Sequence, residues 1–164
     1  MKVLMLCLEF PPINTTGNYR SAGFARNLSK NGVEVVVLTC TIESGEITFN
    51  KKPDGNLLKG LEDVKIFRLP IKPLSNFWLK GIANKLRIWW NITDKLDKRW
   101  YYGENKLKIE SIIRKEKPNF LFVSLPPFSM SRVALKLSRK FKIGLITDMR
   151  DAWSLWTNVP FSSK

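Results

Sequence analysis

The chain has 164 residues, 44% of them hydrophobic, which is enough for one domain with a sizeable core. Its 28 Lys and Arg outnumber 14 Asp and Glu, and the net charge of +14 favours polyanionic partners: nucleic acid, an anionic membrane or phosphorylated ligands. Histidine is absent, which excludes the commonest general base and metal ligand. Cys7 and Cys40 lack metal-ligand spacing and are predicted to be buried thiols of a reducing compartment.

The N-terminal part of the sequence predicts a βαβ unit. Val3 to Leu8 form a continuous apolar run, typical of a strand that is covered on both faces. A helix is predicted from about Gly17 to Lys30, with Thr15 or Thr16 as its N-cap. The stretch VEVVVLTC, residues 33–40, is the second buried strand. Such an opening implies parallel strands joined by right-handed crossovers.

The rest of the sequence continues to alternate between strand and helix. Residues 41–62 are polar, with Gly and Pro, and are interpreted as an excursion before a third strand, Val64 to Leu69. Residues 75–117 are predicted to be helical in two pieces. Two further strands, at Asn119–Leu125 and Ile143–Met149, flank another helix. The whole chain therefore predicts one α/β domain with a Rossmann-like, doubly wound parallel sheet, in which ligands bind outside the carboxyl ends of the strands.

The loop EFPPINTTGNYR, residues 9–20, follows the first predicted strand. Pro11 and Pro12 end that strand, so free N–H groups at the start of the next helix face the carboxyl edge of the sheet, where they attract phosphate or carboxylate. Gly17 permits close approach of a ligand, and Arg20 adds a charged fork. The alternative is that Gly17 only shapes the turn and Arg20 is a solvated surface charge.

The fourth predicted strand is followed by SLPPFSMSR, residues 124–132. Ser124 ends the strand, and Ser129 is placed to cap the next helix. Capping alone would explain Ser129 without any ligand.

The fifth predicted strand ends in TDMRDAW, residues 147–153. Asp148 and Asp151 bracket Arg150 at the end of a buried strand, where a charged cluster must be paired or must meet a polar ligand. The alternative is an internal Asp–Arg pair, with Asp151 as the N-cap of a following helix.

Residues 76–102, NFWLKGIANKLRIWWNITDKLDKRWYY, combine basic and aromatic side chains. At about 100° per residue, the apolar residues fall on one broad face of a helix and the basic residues lie near its edges. Such a helix suits the headgroup region of an anionic membrane, although it can also simply pack in a core. Binding of single-stranded nucleic acid is disfavoured, because the sequence has no RNA-recognition signature. The predicted membrane or acceptor contacts are Trp78, Lys80, Lys85, Arg87, Trp89 and Trp90.

Together, the proline pair with the following glycine and arginine, GVEVVVLT, SLPPFS and TDMRDAW resemble the N-terminal domain of family-four glycosyltransferases of the GT-B fold. The resemblance covers nearly the whole chain. It implies transfer of sugar from a nucleotide-sugar donor to a cell-surface polysaccharide or lipid-linked acceptor, with retention of configuration and without a metal or other cofactor. The resemblance places Asp148, Arg150 and Asp151 in the catalytic centre. It places in the donor and acceptor cleft Gly17, Arg20, Ser124 and Ser129.

The resemblance also implies that residues 1–164 are one half of a two-domain enzyme, with a basic aromatic helical insertion at about 75–102. A C-terminal donor-binding domain would have to follow Lys164 or be supplied by a partner subunit, so we expect the isolated domain to be inactive. Relatives often carry a histidine at the position that Ser131 occupies in this chain. An acid/base or hydrogen-bonding role of that histidine is therefore in doubt here. The expected location is the cytoplasm, peripheral on the inner face of the cell membrane. The alternative is a noncatalytic basic domain that binds a partner subunit, an anionic membrane or single-stranded nucleic acid.

Overall fold

The structure is a computed structural model, and it describes residues 1–72 and 96–150. Its strands are β1 (Lys2–Leu6), β2 (Glu34–Cys40), β3 (Lys65–Leu69), β4 (Phe120–Leu125) and β5 (Gly144–Met149). Its helices are α1 (Thr16–Lys30), α2 (Ile42–Phe49), α3 (Leu96–Trp100), α4 (Glu104–Glu116) and α5 (Met130–Phe141). A short 3-10 helix spans Gly55–Leu58.

All five strands are parallel and form one sheet in the order β3-β2-β1-β4-β5. The central strands have the apolar sequences KVLML, EVVVLTC and FLFVSL, as expected where both faces of a sheet are covered. The chain starts in the middle of the sheet and winds outward first on one side and then on the other. The predicted α/β class with a Rossmann-like, doubly wound parallel sheet is therefore confirmed.

The sheet separates two hydrophobic cores, because successive side chains of a strand point to opposite faces. On one face α1 packs against Met5, Val37 and Phe122, and its small residues Ala22 and Ala25 allow close approach. The other face packs against α4 and α5. The most buried residues of this second core include Leu4, Leu38, Trp100, Ile109, Val123, Ala134 and Leu137. The two layers hold the carboxyl ends of β1, β4 and β5 in fixed positions.

The segment 41–62 contains helices that the polar composition did not predict. Thr41 caps α2, because its Oγ1 accepts a hydrogen bond from the backbone nitrogen of Ser44 at 3.3 Å. Asn50 ends α2 in the left-handed region, with φ of 52°. Asp54 Oδ1 accepts from the nitrogen of Asn56 at 2.9 Å and starts the 3-10 helix. Local capping contacts therefore define where these helical turns begin and end.

Two predicted N-caps have the expected position but not the expected bond. Thr15 precedes α1, and its side chain makes no capping hydrogen bond with the described residues. Ser129 precedes α5 and likewise makes no side-chain capping bond to that helix. Its Oγ instead accepts a hydrogen bond from the backbone nitrogen of Asp97 at 3.3 Å. Capping therefore does not explain Ser129, which ties α3 to the start of α5.

The end of the basic aromatic segment packs into the core. Trp100 and Tyr101 are fully buried, and Trp100 Nε1 donates to the carbonyl oxygen of Leu69 at 3.2 Å. Among the described helices, none is long and apolar enough to cross a membrane. The structure does not describe residues 73–95 and 151–164. Outside the described residues therefore lie Trp78, Lys80, Lys85, Arg87, Trp89, Trp90 and Asp151.

Candidate functional site at the carboxyl edge of the sheet

Charged residues from the ends of β1 and β5 and from α1 meet at the carboxyl edge of the sheet. Parallel strands bring their carboxyl ends to the same edge, so the loops after β1, β4 and β5 are neighbours although they are far apart in sequence. The charged residues form two ion pairs, Arg20 with Asp148 and Arg150 with Glu9. We call the following residues the edge cluster: Glu9, Gly17, Arg20, Asp148 and Arg150.

The first ion pair joins Arg20 of α1 to Asp148 of β5. Arg20 Nε lies 3.0 and 2.9 Å from the two carboxylate oxygens, and Nη2 lies 2.7 Å from Oδ1. The Arg20 side chain is 55% exposed, whereas that of Asp148 is 7% exposed. The carboxylate raises the pKa of the Arg20 guanidinium by accepting these hydrogen bonds. Arg20 is therefore not a free surface charge, because it neutralises a nearly buried aspartate.

The second ion pair involves Arg150, directly after β5. Its Nε donates to the carbonyl oxygen of Leu125 at 3.0 Å and its Nη2 to that of Pro126 at 2.7 Å. Nη2 also lies 3.6 Å from Glu9 Oε1, and both side chains are less than one fifth exposed. Arg150 thus joins the loop after β1 to the loop after β4. The internal pair weighed for Asp148 and Arg150 is not formed among the described residues, where Asp148 pairs with Arg20 and Arg150 pairs with Glu9.

Gly17 lies directly against this second pair. A methyl group on Gly17 would be 2.6 Å from Glu9 Oε2 and closer still to Arg150 Nη1, which is nearer than atoms that are not bonded can pack. Glycine is required here because the guanidinium and the carboxylate occupy the space of a side chain. The close approach predicted at Gly17 for a ligand is made instead by Arg150 and Glu9 of the same chain.

Glu9 was not singled out as a site residue in the sequence analysis. Its carboxylate lies beside the first turn of α1, which contains no acidic residue of its own. A helix N-terminus attracts negative charge, and the Glu9 carboxylate lies where a phosphate or carboxylate was predicted. A carboxylate three residues beyond a buried strand was the only signal in the sequence.

Neutral polar groups without partners lie next to the edge cluster. Asn18 is fully buried, and neither its amide oxygen nor its nitrogen has a hydrogen-bond partner in residues 1–72 and 96–150. Thr15 Oγ1 and Ser124 Oγ are also buried without partners within this part of the chain. Ser124 is in register with Asp148 in the sheet, and Thr15 and Asn18 begin α1. Buried polar atoms that are left unpaired cost free energy, so they mark a place where water or ligand hydroxyl groups bind.

The thiol beneath this site is unreactive. Cys7 is buried, and burial raises the pKa of its thiol to about 12, although a hydrogen bond with Ser21 and the charge of Arg150 act in the opposite direction. Cys40 is also buried, and burial raises its pKa to about 12 as well. Both residues are therefore protonated at neutral pH, as free thiols. Neither is a candidate nucleophile.

No protein-family model and no curated protein matches the sequence. Glycyrrhiza uralensis UGT73P12, complexed with glycyrrhetinic acid 3-O-monoglucuronide, is a similar solved structure at 14% identity and a TM-score of 0.47, over 89% of this chain and 27% of that chain. A UGT transferase from Siraitia grosvenorii in complex with UDP has 14% identity and a TM-score of 0.46, over 88% of this chain and 27% of that chain. This chain thus spans 27% of the length of each structure.

Both solved structures are UDP-glycosyltransferases of the GT-B type. They give no support to the narrower assignment to family four. Likeness at this identity and TM-score does not bear on activity.

Proposed function

We propose that this chain is the acceptor-side, N-terminal domain of a glycosyltransferase that uses a nucleotide-sugar donor. The observation that carries the proposal is the composition of the edge cluster. Its two arginines are committed to two carboxylates, so its charges balance, while Asn18, Ser124 and Thr15 beside it have unpaired polar atoms. A balanced site with spare neutral donors and acceptors favours a ligand rich in hydroxyl groups over a free polyphosphate.

The residues of the edge cluster would have distinct roles in such a domain. The Glu9 and Asp148 carboxylates accept hydrogen bonds from acceptor hydroxyl groups, and the two arginines hold these carboxylates in place. The acceptor oxygen forms a bond with the anomeric carbon while the bond from that carbon to the phosphate oxygen breaks. The hydroxyl proton passes to the departing nucleoside diphosphate. A second domain, which supplies most nucleotide contacts, would complete the site, and the resemblance favours a retaining reaction.

Titration of the 164-residue chain with saccharides tests the assignment of the edge to an acceptor. Amide signals of Asn18 and Ser124 in nuclear magnetic resonance spectra should shift with short oligosaccharides and shift less with inorganic diphosphate. An Asn18→Leu variant should lose the saccharide response. The matched control is Asn56→Leu in the exposed 3-10 helix. A response to diphosphate alone at the same amides would contradict the acceptor assignment.

Sugar transfer requires a separate test. The chain should be assayed with labelled nucleotide sugars, alone and together with a second Rossmann-like domain encoded in the same or a neighbouring reading frame. We expect no transfer by residues 1–164 alone, and a retained anomeric configuration without a need for added metal in the combined sample. Transfer by the isolated chain, an inverted product or inactivation by a chelator would each refute the corresponding part of the proposal.

A noncatalytic basic binding domain is the second candidate, and the net charge of +14 favours it. The two candidates differ in where a ligand binds. An acceptor-side domain binds at the edge cluster, whereas a basic binding domain responds to polyanions through lysines on its helices. Perturbation of lysine side chains by an anionic polymer, with an unaltered edge cluster, would favour the second candidate.

We also propose that the basic aromatic segment attaches the domain to the inner face of the cell membrane, where it would meet a lipid-linked acceptor; because Trp100 and Tyr101 are buried in the core, this role falls to residues 76–95. The described flanks support this proposal, because the backbone nitrogen of Lys72 donates to the carbonyl oxygen of Arg99 at 3.0 Å. Lys72 and Arg99, on either side of residues 73–95, therefore lie next to each other. Attachment of this kind needs both insertion of apolar side chains and attraction of basic side chains to anionic lipid, so it is lost when either is removed.

Vesicle flotation tests this attachment. Trp89→Ala combined with Trp90→Ala removes apolar contacts, and alanine at Lys80, Lys85 and Arg87 removes charge. Both variants should lose salt-sensitive binding to anionic vesicles, and neutral vesicles should bind weakly. Unchanged binding in both variants would refute a role for this segment. Binding of single-stranded RNA through the same residues would favour the nucleic-acid alternative.

A further inference from the structure

The outer edge of β5 has the features of a strand that accepts another strand. β5 is the last strand of the sheet and pairs only with β4 in the described part of the chain. The backbone nitrogen of Gly144 donates to the carbonyl oxygen of Asn119 at 3.3 Å, and that of Arg150 donates to the carbonyl oxygen of Leu125 at 3.1 Å. Backbone groups alternate in direction along a strand. The residues whose N–H and C=O groups point away from β4, which we call the outer residues, are therefore Leu145, Thr147 and Met149.

Two large apolar side chains of β5 are exposed. Ile146 is 44% exposed and Met149 is 55% exposed. Ile146 lies on the face of α1, since Asp148, two residues later, pairs with Arg20 of that helix. The outer residues lie on the opposite face, where Leu145 packs against the second core. Both faces of β5 therefore leave apolar surface in contact with water, and covering that surface would be favourable.

β5 also lacks the features by which edge strands avoid pairing with other chains. Its sequence GLITDM contains no lysine, arginine or proline, and its charged residue, Asp148, is paired with Arg20. The strand at the opposite edge, β3, contains Lys65 and Arg68. Charged side chains on an edge strand oppose the docking of another strand. The two edges of the sheet therefore differ, because β3 is protected and β5 is open.

We propose that the outer edge of β5 pairs with the same edge of a second copy of this chain. The two strands run antiparallel around a twofold axis at Thr147. In this register Leu145 lies beside Met149 of the second copy, and each outward N–H and C=O group of the outer residues meets a partner. Thr147 lies beside Thr147 of the second copy, and cross-strand threonine pairs stabilise sheets. The two sheets thereby become one continuous sheet.

A second copy fits because this edge is complementary to itself. A register shifted by two residues would leave outward groups of the outer residues unpaired. The net charge of +14 on each copy opposes association, but β5 itself adds no unpaired charge. Salt screens this repulsion, so salt should strengthen the dimer, whereas it weakens binding to polyanions. The contact lies at the side of the sheet and does not rest on the proposed function.

Sedimentation equilibrium of the 164-residue chain tests the contact. We expect the dimer fraction to rise with protein concentration and with added salt. Thr147→Pro removes an outward N–H group but none that bonds to β4. It should weaken the dimer roughly 25-fold, since one hydrogen bond is lost from each copy and each is worth a factor of about five. Thr147→Lys places two like charges beside each other at the twofold axis and should also weaken the dimer.

Two matched controls separate strand pairing from general effects of substitution. Thr147→Val keeps a β-branched side chain at the same position and should associate nearly as the intact chain does. Ile47→Lys adds the same charge as Thr147→Lys, but on α2, where the side chain is 73% exposed. It should likewise leave association unchanged. Urea midpoints will verify folding, and Thr147→Lys keeps the test valid if the proline variant fails to fold.

Amide hydrogen exchange gives a second, residue-specific readout. The amides of Ile146 and Asp148 point towards β4 and should be protected in the monomer, whereas the amides of the outer residues should exchange faster. Raising the protein concentration should then protect the outer residues selectively. This alternation distinguishes strand pairing from a dimer that is held by side chains alone.

Several results would overturn the proposal. A chain that stays monomeric at every concentration, or a dimer that both Thr147→Pro and Thr147→Lys leave intact, would exclude pairing at β5. Outer amides that are already protected in the monomer would show that another segment of the same chain covers this edge. Protection that requires an added second Rossmann-like domain would assign the edge to that domain instead of a second copy.

Discussion

Replacing Gly17 with alanine is expected to disrupt the edge cluster. The new methyl group would overlap Arg150 Nη1 and lie 2.6 Å from Glu9 Oε2. The guanidinium has little room to retreat, because it donates to the carbonyl oxygens of Leu125 and Pro126. We therefore expect Gly17→Ala to displace Arg150 from both carbonyls. A matched control lies in the same helix, where a methyl group on Gly23 would meet nothing within 4 Å.

The size of the effect follows from these contacts. A hydrogen bond to a charged group contributes about 1.5–3 kcal/mol, and water will replace roughly half of the two that Arg150 loses. Alanine in place of glycine returns about 1 kcal/mol through helix propensity. Gly17→Ala should therefore lower the free energy of unfolding by about 0.5–2 kcal/mol. Gly23→Ala should raise it by about 0.5–1 kcal/mol, because it gains propensity without a clash.

Urea unfolding of the purified variants measures this difference through their midpoints at constant slope. The free energies of unfolding of Gly17→Ala and Gly23→Ala should differ by about 2 kcal/mol, which corresponds to a difference of roughly 4–8 °C in Tm. In an Arg150→Ala background, Gly17→Ala should no longer destabilise, because the overlapping group is gone. If Gly17→Ala proves as stable as Gly23→Ala, the packing of Arg150 against Gly17 is refuted.

Three further outcomes are expected. Arg20→Ala should destabilise the chain, because it leaves the nearly buried Asp148 carboxylate without its partner. Adding Asp148→Asn should recover part of the lost free energy of unfolding, as measured in urea. Strictly additive effects of the two substitutions would argue against the ion pair. Burial raises the pKa of both Cys7 and Cys40 to about 12, so the free energy of unfolding should fall as the pH rises above 9. The expected fall is about 1.4 kcal/mol per pH unit for each thiol. Replacing both cysteines with alanine should make the free energy of unfolding depend less on pH in this range. A hydrogen bond from Lys65 lowers the pKa of Glu116, so the stabilisation that this carboxylate provides is present above pH 4.5 and is lost on acidification. Glu116→Gln should make the free energy of unfolding depend less steeply on pH in acid. An unchanged pH profile would exclude the Lys65–Glu116 pair as a stabilising contact.

The sheet could be predicted from sequence because each strand carries its own signal. The runs around Leu4, Val36 and Leu121 are apolar without alternation, which is typical of strands covered on both faces. The helix α2 was missed because it is short and lies within the segment 41–62, which is polar as a whole and contains Gly and Pro. Its signals were local, in the cap at Thr41 and the left-handed turn at Asn50, and a reading based on hydrophobicity overlooks both.

The candidate site could be predicted in location but not in pairing. Its loops follow strand ends, and parallel strands gather these ends at one edge. Which charge meets which is decided by strand order and by side-chain reach, as for Arg20 and Asp148, which are 128 residues apart. Glu9 was missed for the same reason, since its partner Arg150 lies at the other end of the chain. The roles of these residues in binding or catalysis stay predictions.

The central position of β1 imposes a waiting time during synthesis. Val3 pairs with Val35 on one side and with Phe120 on the other, 117 residues later in the chain. At roughly 5–20 residues per second, the ribosome needs about 6–23 s to make that second partner. During this interval one edge of an apolar strand can template pairing with other chains. Nascent chains that end between residues 41 and 119 are therefore the forms that most need chaperones.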